Sequence, residues 1–272
     1  MSDTAAERFA HFHSRRESMA AEPMGSLALV LTQWVDAEQT VWGVPGLWAP
    51  TSDGQVGLVL TATAADNVTV DGVLVDGSVT VRPKGADSGT DIVFSDTQRG
   101  SIIVDPSGLC ALRVWDAQSE WIQNYGGISN FPYDPNWVIT ARWRPAEAGT
   151  TLAVDKVKSG AASATEEIPG HIVFSHEGHD VELVAFRSGR ALQVVFADDT
   201  NGTETYSVGR FLFVVPNPDG TITLDFNLAH LPPCAFSYNF NCPIPPKQNR
   251  LPFRVDAGEQ HVLAKDGTHL HA

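Results

Sequence analysis

The chain has 272 residues, of which 43% are hydrophobic and 18% are charged, a composition that supports a sizeable folded core. Its 32 acidic and 18 basic side chains give a net charge of -14, which repels polyanions. These values exclude nucleic acid and anionic membrane surfaces as expected partners. A small-molecule ligand stays open as a partner, and the sequence does not determine the oligomeric state.

Further properties of the whole sequence concern its environment and cofactors. The N-terminal residues lack the apolar segment of a signal peptide, and no later run approaches the roughly 20 apolar residues that span a bilayer. Three cysteines, an odd number, do not suggest a disulfide framework. We therefore expect a cytoplasmic protein. The sequence has no Gly-rich phosphate loop, Rossmann turn or Gly-x-Ser-x-Gly elbow, so no cofactor is predicted.

The first predicted element is a short amphipathic helix within residues 1–25. Thr4 and Glu7 have the spacing of a capping box, in which each side chain accepts a hydrogen bond from the other residue's backbone. Phe9 and Phe12 follow at a spacing that places both on one helix face. No second long helix is expected.

Residues 26–117 form the next part, which is predicted to resemble a β-sandwich. Short runs rich in Val, Leu and Ile alternate with Gly, Asp, Asn and Pro. Asp71-Gly72 and Asp76-Gly77 are typical of tight hairpin turns, because glycine takes the positive φ that such turns need.

Residues 118–272 form a second predicted β part. Apolar runs recur about every dozen residues, a spacing too short for the helices that connect parallel strands. The fold class is therefore mostly β, an antiparallel sandwich or barrel in two packed parts with one short N-terminal helix. The residues after Glu259 are predicted to be a loosely held tail.

The first candidate site residues lie between two apolar runs. Asn201-Gly202 predicts a tight turn, after which Thr205 and Tyr206 begin a returning strand. Arg210 stands next to a strand of five apolar residues, where an inward guanidinium needs an anion. That anion would belong either to a ligand or, as an internal ion pair, to Asp225.

The second group of candidates follows the next strand. Asp225 and Asn227 end this strand, and His230 and Cys234 lie in the Pro-rich loop behind it. Together they would supply an acid, an orienting amide, a base and a thiol. The competing interpretation is that Cys234 packs as a small apolar side chain, as unpaired thiols commonly do.

Cys234 and Cys242 are eight positions apart, and three interpretations of the pair stay open. They are two independent buried thiols, a reversible disulfide, or half of a site for a soft metal. The metal fits least, because structural zinc needs four ligands at short spacings and no second pair is present in the sequence. We therefore predict no metal ligands.

The C-terminal motifs resemble those of the bacterial and archaeal family called domain of unknown function 1684. The matching motifs are Asp198 or Asp199 through Thr205-Tyr206 and Gly209-Arg210, Asp225-Phe226-Asn227, Pro232-Pro233-Cys234-Ala235, Cys242-Pro243-Ile244-Pro245-Pro246 and Asn249-Arg250-Leu251-Pro252. The resemblance implies a mostly β protein whose shared residues gather at one C-terminal site, and it implies no reaction. This chain has His230-Leu231 where the family usually has Tyr-Asn before Pro-Pro-Cys.

The hypothesis that follows is a C-terminal pocket for a small anionic molecule in an uncharacterised protein, with hydrolase-type activity. Arg210 would bind the anion, and Thr205, Tyr206 and Asn227 would line the pocket. The catalytic residues would be Asp225, His230 and Cys234, in the roles described above. One alternative is a non-catalytic binding or scaffold protein in which the same residues form a buried structural network. A third option is thiol redox or metal chemistry at Cys234 and Cys242.

Overall fold

The computed structural model describes residues 4–83, 90–158 and 164–271, which divide into two compact units. The N-terminal unit is Ser18–Asn124. The C-terminal unit combines the described residues up to Glu17 with those from Tyr125 onward. The sequence predicted a division between the two β parts near residue 118.

Helix α1 (Ala5–Ala20) begins with the capping box that the sequence indicated. The Glu7 amide donates to the Thr4 hydroxyl at 3.2 Å, and the Thr4 amide donates to the Glu7 carboxylate at 2.6 Å. Within the C-terminal unit, the ring of Phe9 packs against Tyr133 and that of Phe12 against His230. The apolar face of the helix is therefore used for packing. None of the described helices is both long and apolar enough to cross a membrane.

The N-terminal unit is built from two antiparallel sheets, ordered β1-β10-β9-β8-β5-β6 and β2-β3-β4-β7. Trp48 is fully buried and meets the edge of Phe94 at a centroid distance of 6.1 Å, so large rings fill this core. A short helix, α2 (Glu120–Asn124), ends the unit. The strands are β1 (Leu29–Val35), β2 (Gln39–Thr40), β3 (Leu47–Pro50), β4 (Leu58–Ala62), β5 (Thr69–Val70), β6 (Val73–Leu74), β7 (Gly77–Val81), β8 (Ile92–Val93), β9 (Gln98–Val104) and β10 (Cys110–Asp116).

The C-terminal unit has a six-stranded sheet with the order β18-β17-β16-β15-β12-β19 and two pairs, β11-β20 and β13-β14. Phe196 and Phe226 are fully buried and meet edge to face at 5.4 Å in its core. The strands are β11 (Tyr125–Asn130), β12 (Val138–Pro145), β13 (Thr151–Val154), β14 (Ala164–Glu167), β15 (Gly170–His176), β16 (His179–Ser188), β17 (Ala191–Phe196), β18 (Arg210–Val214), β19 (Thr221–Asp225) and β20 (Glu259–Ala264).

The predicted fold class is confirmed: the protein is mostly β, its sheets are antiparallel and its long helix is N-terminal. The prediction of a loose tail after Glu259 is wrong. Residues 259–264 form β20, which pairs with β11 and buries Val262 and Ala264. The partner strand lies more than a hundred residues earlier in the chain, so the local sequence pattern does not reveal this pairing.

Gly258 offers a test of how tightly the segment before β20 is held. Its φ is +81°, and an added Cβ would collide with the Ala229 carbonyl oxygen and lie 2.9 Å from that of Phe226. Gly220 has the same φ of +81° but open space around it. We expect Gly220→Ala to cost about 1 kcal/mol through backbone strain alone. Gly258→Ala should cost about 2 kcal/mol more because it also crowds fixed backbone.

Urea unfolding of both variants, followed by circular dichroism, measures this difference in the free energy of unfolding. Equal losses in the two variants would contradict the close contact at Gly258.

Candidate functional site

The buried ion pair of Arg210 and Asp198 is the centre of the candidate site. Arg210 is the first residue of β18. Asp198 lies just beyond the end of β17, the strand that pairs with β18. Nη2 of Arg210 donates to Oδ2 of Asp198 at 2.7 Å, and both side chains are 0% exposed. The guanidinium also lies 5.4 Å from the ring centre of Phe196. The anion that the sequence assigned to a ligand or to Asp225 is therefore supplied by Asp198.

This ion pair holds the chain segment that leads into β20. Arg210 donates to the carbonyl oxygens of Val255 at 2.9 Å, Ala257 and Glu259 at 3.4 Å. The Val255 amide in turn donates to Oδ1 of Asp198 at 3.2 Å. Both backbone groups of Val255 are thus bound by the two members of the ion pair.

Electrostatics explain why Arg210 needs so many partners. Burial lowers the pKa of Arg210, and the adjacent Asp198 carboxylate opposes that shift. A buried guanidinium is tolerated when an anion and several oxygen acceptors replace its water shell. Of its donor atoms, only Nε has no hydrogen-bond partner among the described residues, and that atom is buried. No donor of Arg210 therefore reaches the surface to bind an external anion.

The turn before β18 is fixed by hydrogen bonds of its own side chains. The Asn201 side chain accepts from the Asp198 amide at 2.7 Å and donates to the Thr205 hydroxyl and the Tyr206 carbonyl, each at 2.9 Å. Thr205 is fully buried, and its hydroxyl lies 2.9 Å from that of Thr200. Thr205, a predicted ligand-binding residue, thus has its hydroxyl engaged inside the turn.

Asp225 and Asn227 lie together at the end of β19 and hold a distant loop. The Asn227 side chain is buried, accepts from the Asp134 amide and donates to the Asp134 carbonyl, each at 2.9 Å. Asp225 accepts from the Asn227 amide and from its side chain, which fixes the rotamer. The suggested pairing of Asp225 with Arg210 is wrong, because Asp198 occupies that position.

Asn249, in the Asn-Arg-Leu-Pro motif, replaces missing backbone pairing between two strands. β16 and β17 pair through Phe186 and Gln193, and further along the same register Val184 and Val195 would face each other. There Asn249 accepts from the Val184 amide at 2.7 Å and donates to the carbonyls of Val184 and Val195 at 2.9 and 2.8 Å. An amide side chain suits this position because it carries both an acceptor and two donors.

His230 lies in an aromatic environment rather than beside the other predicted catalytic residues. Its ring stacks on Phe213 at a centroid distance of 5.3 Å and meets the edges of Phe12 and Phe211, each at 6.2 Å. Its Nδ1 lies 3.2 Å from the Leu228 carbonyl oxygen. Among the described contacts of His230 there is none with Asp225 or Cys234, so the predicted grouping of base, acid and thiol is not formed.

The buried carboxylate of Glu259 connects the segment before β20 to the start of the Pro-Pro-Cys loop. It accepts from the Leu231 amide at 2.7 Å and pairs with Nε of Arg16 at 2.9 Å. Arg16 also donates to the carbonyl oxygen of Leu231. The backbone amide of Glu259 donates to the carbonyl oxygen of Ala229. Leu231 is thereby bound through both of its backbone groups.

Tyr206, Cys234 and Cys242 come together in a separate apolar cluster. The Tyr206 hydroxyl donates to the Cys234 carbonyl at 3.2 Å, and the Cys234 amide donates to the sulfur of Cys242 at 3.2 Å. Burial raises the pKa of Tyr206 above its ordinary value, so the hydroxyl keeps its proton. The chain's three cysteines, including Cys110 in the other unit, are thiols in this structure.

Two pockets belong to the N-terminal unit, and neither is lined by a predicted site residue. The described residues also contain no group of three or more His, Cys, Asp or Glu arranged to hold a metal ion. The first pocket is lined by Val35, Pro50, Thr51, Gly54, Gln55, Val56, Gly57, Gly108, Leu109 and Cys110, and the second by Glu120, Trp121, Gln123 and Asn124.

Three residues that organise this region are absent from the predicted site: Asp198, Asn249 and Glu259. Asp198 or Asp199 begins one of the family-like motifs, but the sequence assigned neither of them to Arg210. Asn249 belonged to a recognised motif, which was a usable signal. Glu259 precedes the residues that the sequence predicted to be a loose tail, so its contacts with Arg16 and Leu231 were not expected.

Comparisons with known proteins find a matching family and a similar solved structure. A profile of the family described as "Protein of unknown function (DUF1684)" matches residues 123–260. The solution NMR structure of the uncharacterized protein from gene locus rrnAC0354 of Haloarcula marismortui is 37% identical. That match covers 49% of this chain and 76% of the other, with a TM-score of 0.41. No curated protein matches the chain.

The ion pair predicts a large and non-additive effect on stability. Arg210→Met and Asp198→Asn should each cost about 3–5 kcal/mol, because each leaves a buried charge without its partner. The double variant should lose less than the sum of the two. The exposed pair of Arg254 and Glu204 is the matched control, and Arg254→Met should cost far less than either buried substitution, because solvent screens an exposed pair.

Urea unfolding of the four proteins and the wild type measures these free energies. Additive losses for the Arg210 and Asp198 variants would show that the two side chains do not act as a pair.

A second prediction concerns pH. Burial, followed by the nearby Arg16, lowers the pKa of His230 from 6.5 to about 4. Between these values the unfolded chain binds the proton and the folded chain does not, so stability falls as the pH falls. The contribution of His230 to this loss is about 3 kcal/mol in total.

His230→Phe keeps an aromatic ring but removes this titration, so its stability should depend less on pH between about 6.5 and 4. Urea unfolding across the window tests this, with His11→Gln as the control that removes an exposed histidine. Equal slopes for the wild type and His230→Phe would contradict the prediction.

Proposed function

The chain belongs to the DUF1684 family of proteins of unknown function, and from the geometry of its motif residues we propose a non-catalytic binding or scaffold protein. In this proposal the shared polar residues are structural. They hold the loop of residues 232–246, called the Cys loop below, against the six-stranded sheet. The single observation that carries the proposal is the complete burial of the Arg210–Asp198 ion pair.

A continuous series of contacts supports the connection from the ion pair to the Cys loop. Arg210 binds the carbonyl groups of residues 255–259, and the carboxylate of Glu259 binds the amide of Leu231. Leu231 immediately precedes the first proline of the loop. Tyr206 binds the same loop from the other direction through the Cys234 carbonyl. Each contact is made to backbone, which suits a role in fixing the chain rather than in binding a variable ligand.

The alternative of an anionic ligand has less support. It requires Arg210 to present its guanidinium to a pocket, whereas the side chain is 0% exposed and already paired. It also requires a cavity beside the motif residues, and the two pockets described above lie in the other unit. A hydrolase would further need His230 near Cys234 or Asp225, and the described contacts of His230 are aromatic rings and backbone groups.

Hydrogen exchange measured by mass spectrometry tests the structural role. Arg210→Met should speed exchange in peptides that cover residues 229–236 and 255–260 by at least about tenfold relative to peptides from β15 and β16. Arg190→Met, which removes an exposed arginine of the same unit, should leave the same peptides unchanged. Uniform acceleration over the whole C-terminal unit, or none in the Cys loop, would contradict the proposal.

A ligand screen separates the two candidate functions. Small carboxylates and phosphates are added to the wild type and to Arg210→Lys, and the unfolding midpoint is measured by thermal shift. We expect no compound to raise the midpoint of the wild type alone. A saturable rise that the Arg210→Lys variant loses would overturn the scaffold proposal in favour of an anion-binding site.

A further inference from the structure

The Cys loop brings two thiols of the chain into contact, and this feature has no part in the network of Arg210. Cys234 lies in a short 3-10 turn at Pro233–Ala235, and Cys242 lies near the other end of the loop. The Cys234 amide donates to the sulfur of Cys242 at 3.2 Å. Both are members of one apolar cluster.

The approach of the two thiols is fixed from both sides. On the Cys242 side, its carbonyl accepts from the Val157 amide at 3.0 Å, and Ile244 donates to the Asp155 carbonyl at 2.8 Å. On the Cys234 side, the Tyr206 hydroxyl holds the Cys234 carbonyl at 3.2 Å. The Cys242 sulfur is held 3.2 Å from the Cys234 backbone nitrogen. The two cysteines therefore need little chain movement to reach the close approach that a disulfide requires.

Apolar packing alone explains the pair less well. A buried cysteine commonly packs as a small hydrophobic side chain. Here, however, a buried backbone amide uses a thiol sulfur as its acceptor, although sulfur is a weak one. This amide dipole favours negative charge on the sulfur of Cys242. Hydrogen bonding from Cys242 also lowers the pKa of Cys234, with a smaller contribution from Tyr206.

We propose that Cys234 and Cys242 are a redox-active dithiol that reacts with low-molecular-weight disulfides to form an internal disulfide closing the Cys loop. The thiolate of Cys234 attacks one sulfur of the small disulfide, forming a mixed disulfide and releasing one thiolate. Cys242 then loses its proton, attacks the sulfur of Cys234 and releases the second thiolate. Two electrons pass to the small disulfide, which leaves as two thiols after both released thiolates take up protons.

The exposure of the pair determines when this reaction takes place. Cys234 and Cys242 are 4% and 5% exposed, so a small disulfide reaches them only when the loop opens. Once formed, the disulfide restricts the loop and raises the unfolding midpoint. The oxidation state of the pair would thereby set how firmly the Cys loop is held. This inference does not depend on the scaffold proposal, because it concerns the thiols and not Arg210.

The test uses the full chain, equilibrated with oxidised glutathione in excess and then denatured and labelled with maleimide. Reduced protein should show three reactive thiols, and oxidised protein should show one, which peptide mapping should assign to Cys110. The oxidised protein should have a mass lower by two hydrogens, contain a linked peptide of Cys234 and Cys242, and unfold at a higher temperature. Dithiothreitol should reverse all three changes.

Two variants sharpen the result. Cys242→Ser should stop at a glutathione adduct on Cys234, because the resolving thiol is missing. Cys110→Ser is the matched control and should still form the internal disulfide. Retention of all three thiols in the wild type at full oxidation would overturn the proposal, as would a glutathione adduct in place of the internal bond, or loss of the Cys110 thiol instead.

Discussion

The C-terminal unit depends on one buried ion pair, Arg210 with Asp198. Moving two charges out of water costs several kcal/mol per ion, and the ion pair offsets that cost only when other polar groups complete the hydration that was lost. Here the completing groups are backbone atoms of residues 255–259. Because the two buried charges need these partners, they fix the path of the backbone just before β20. That part of the chain belongs to no strand of its own.

Two asparagines serve the same unit by a different physical route. Each amide side chain presents an acceptor and donors in the spacing of a peptide group, so it can stand in for backbone where strands separate or loops approach. Asn249 does this between β16 and β17, and Asn227 does it for the loop at Asp134. Motif residues that resembled a catalytic set in sequence are, in the folded chain, acceptors and donors for backbone groups.

His230 and Leu231 also lie within this network. His230 is enclosed by Phe12, Phe211 and Phe213, which accounts for its lowered pKa. Leu231 is fully buried, with both backbone groups bound by Arg16 and Glu259. The backbone of Leu231 therefore makes the hydrogen bonds, and the His230 ring packs among aromatic side chains.

The sequence by itself determined the mostly β class, the capping box of α1 and the location of the unusual polar residues, because periodicity, turn residues and local motifs are short-range properties. It also singled out Thr205, Tyr206, Arg210, Asp225, Asn227 and Cys234 as candidates for one site. Only the tertiary structure decided their partners. Asp198 rather than Asp225 faces Arg210, β20 pairs with β11, and Cys234 touches Cys242. Such pairings join residues that are remote in the chain or alike in local sequence, so they depend on how the strands are arranged and not on any pattern along them.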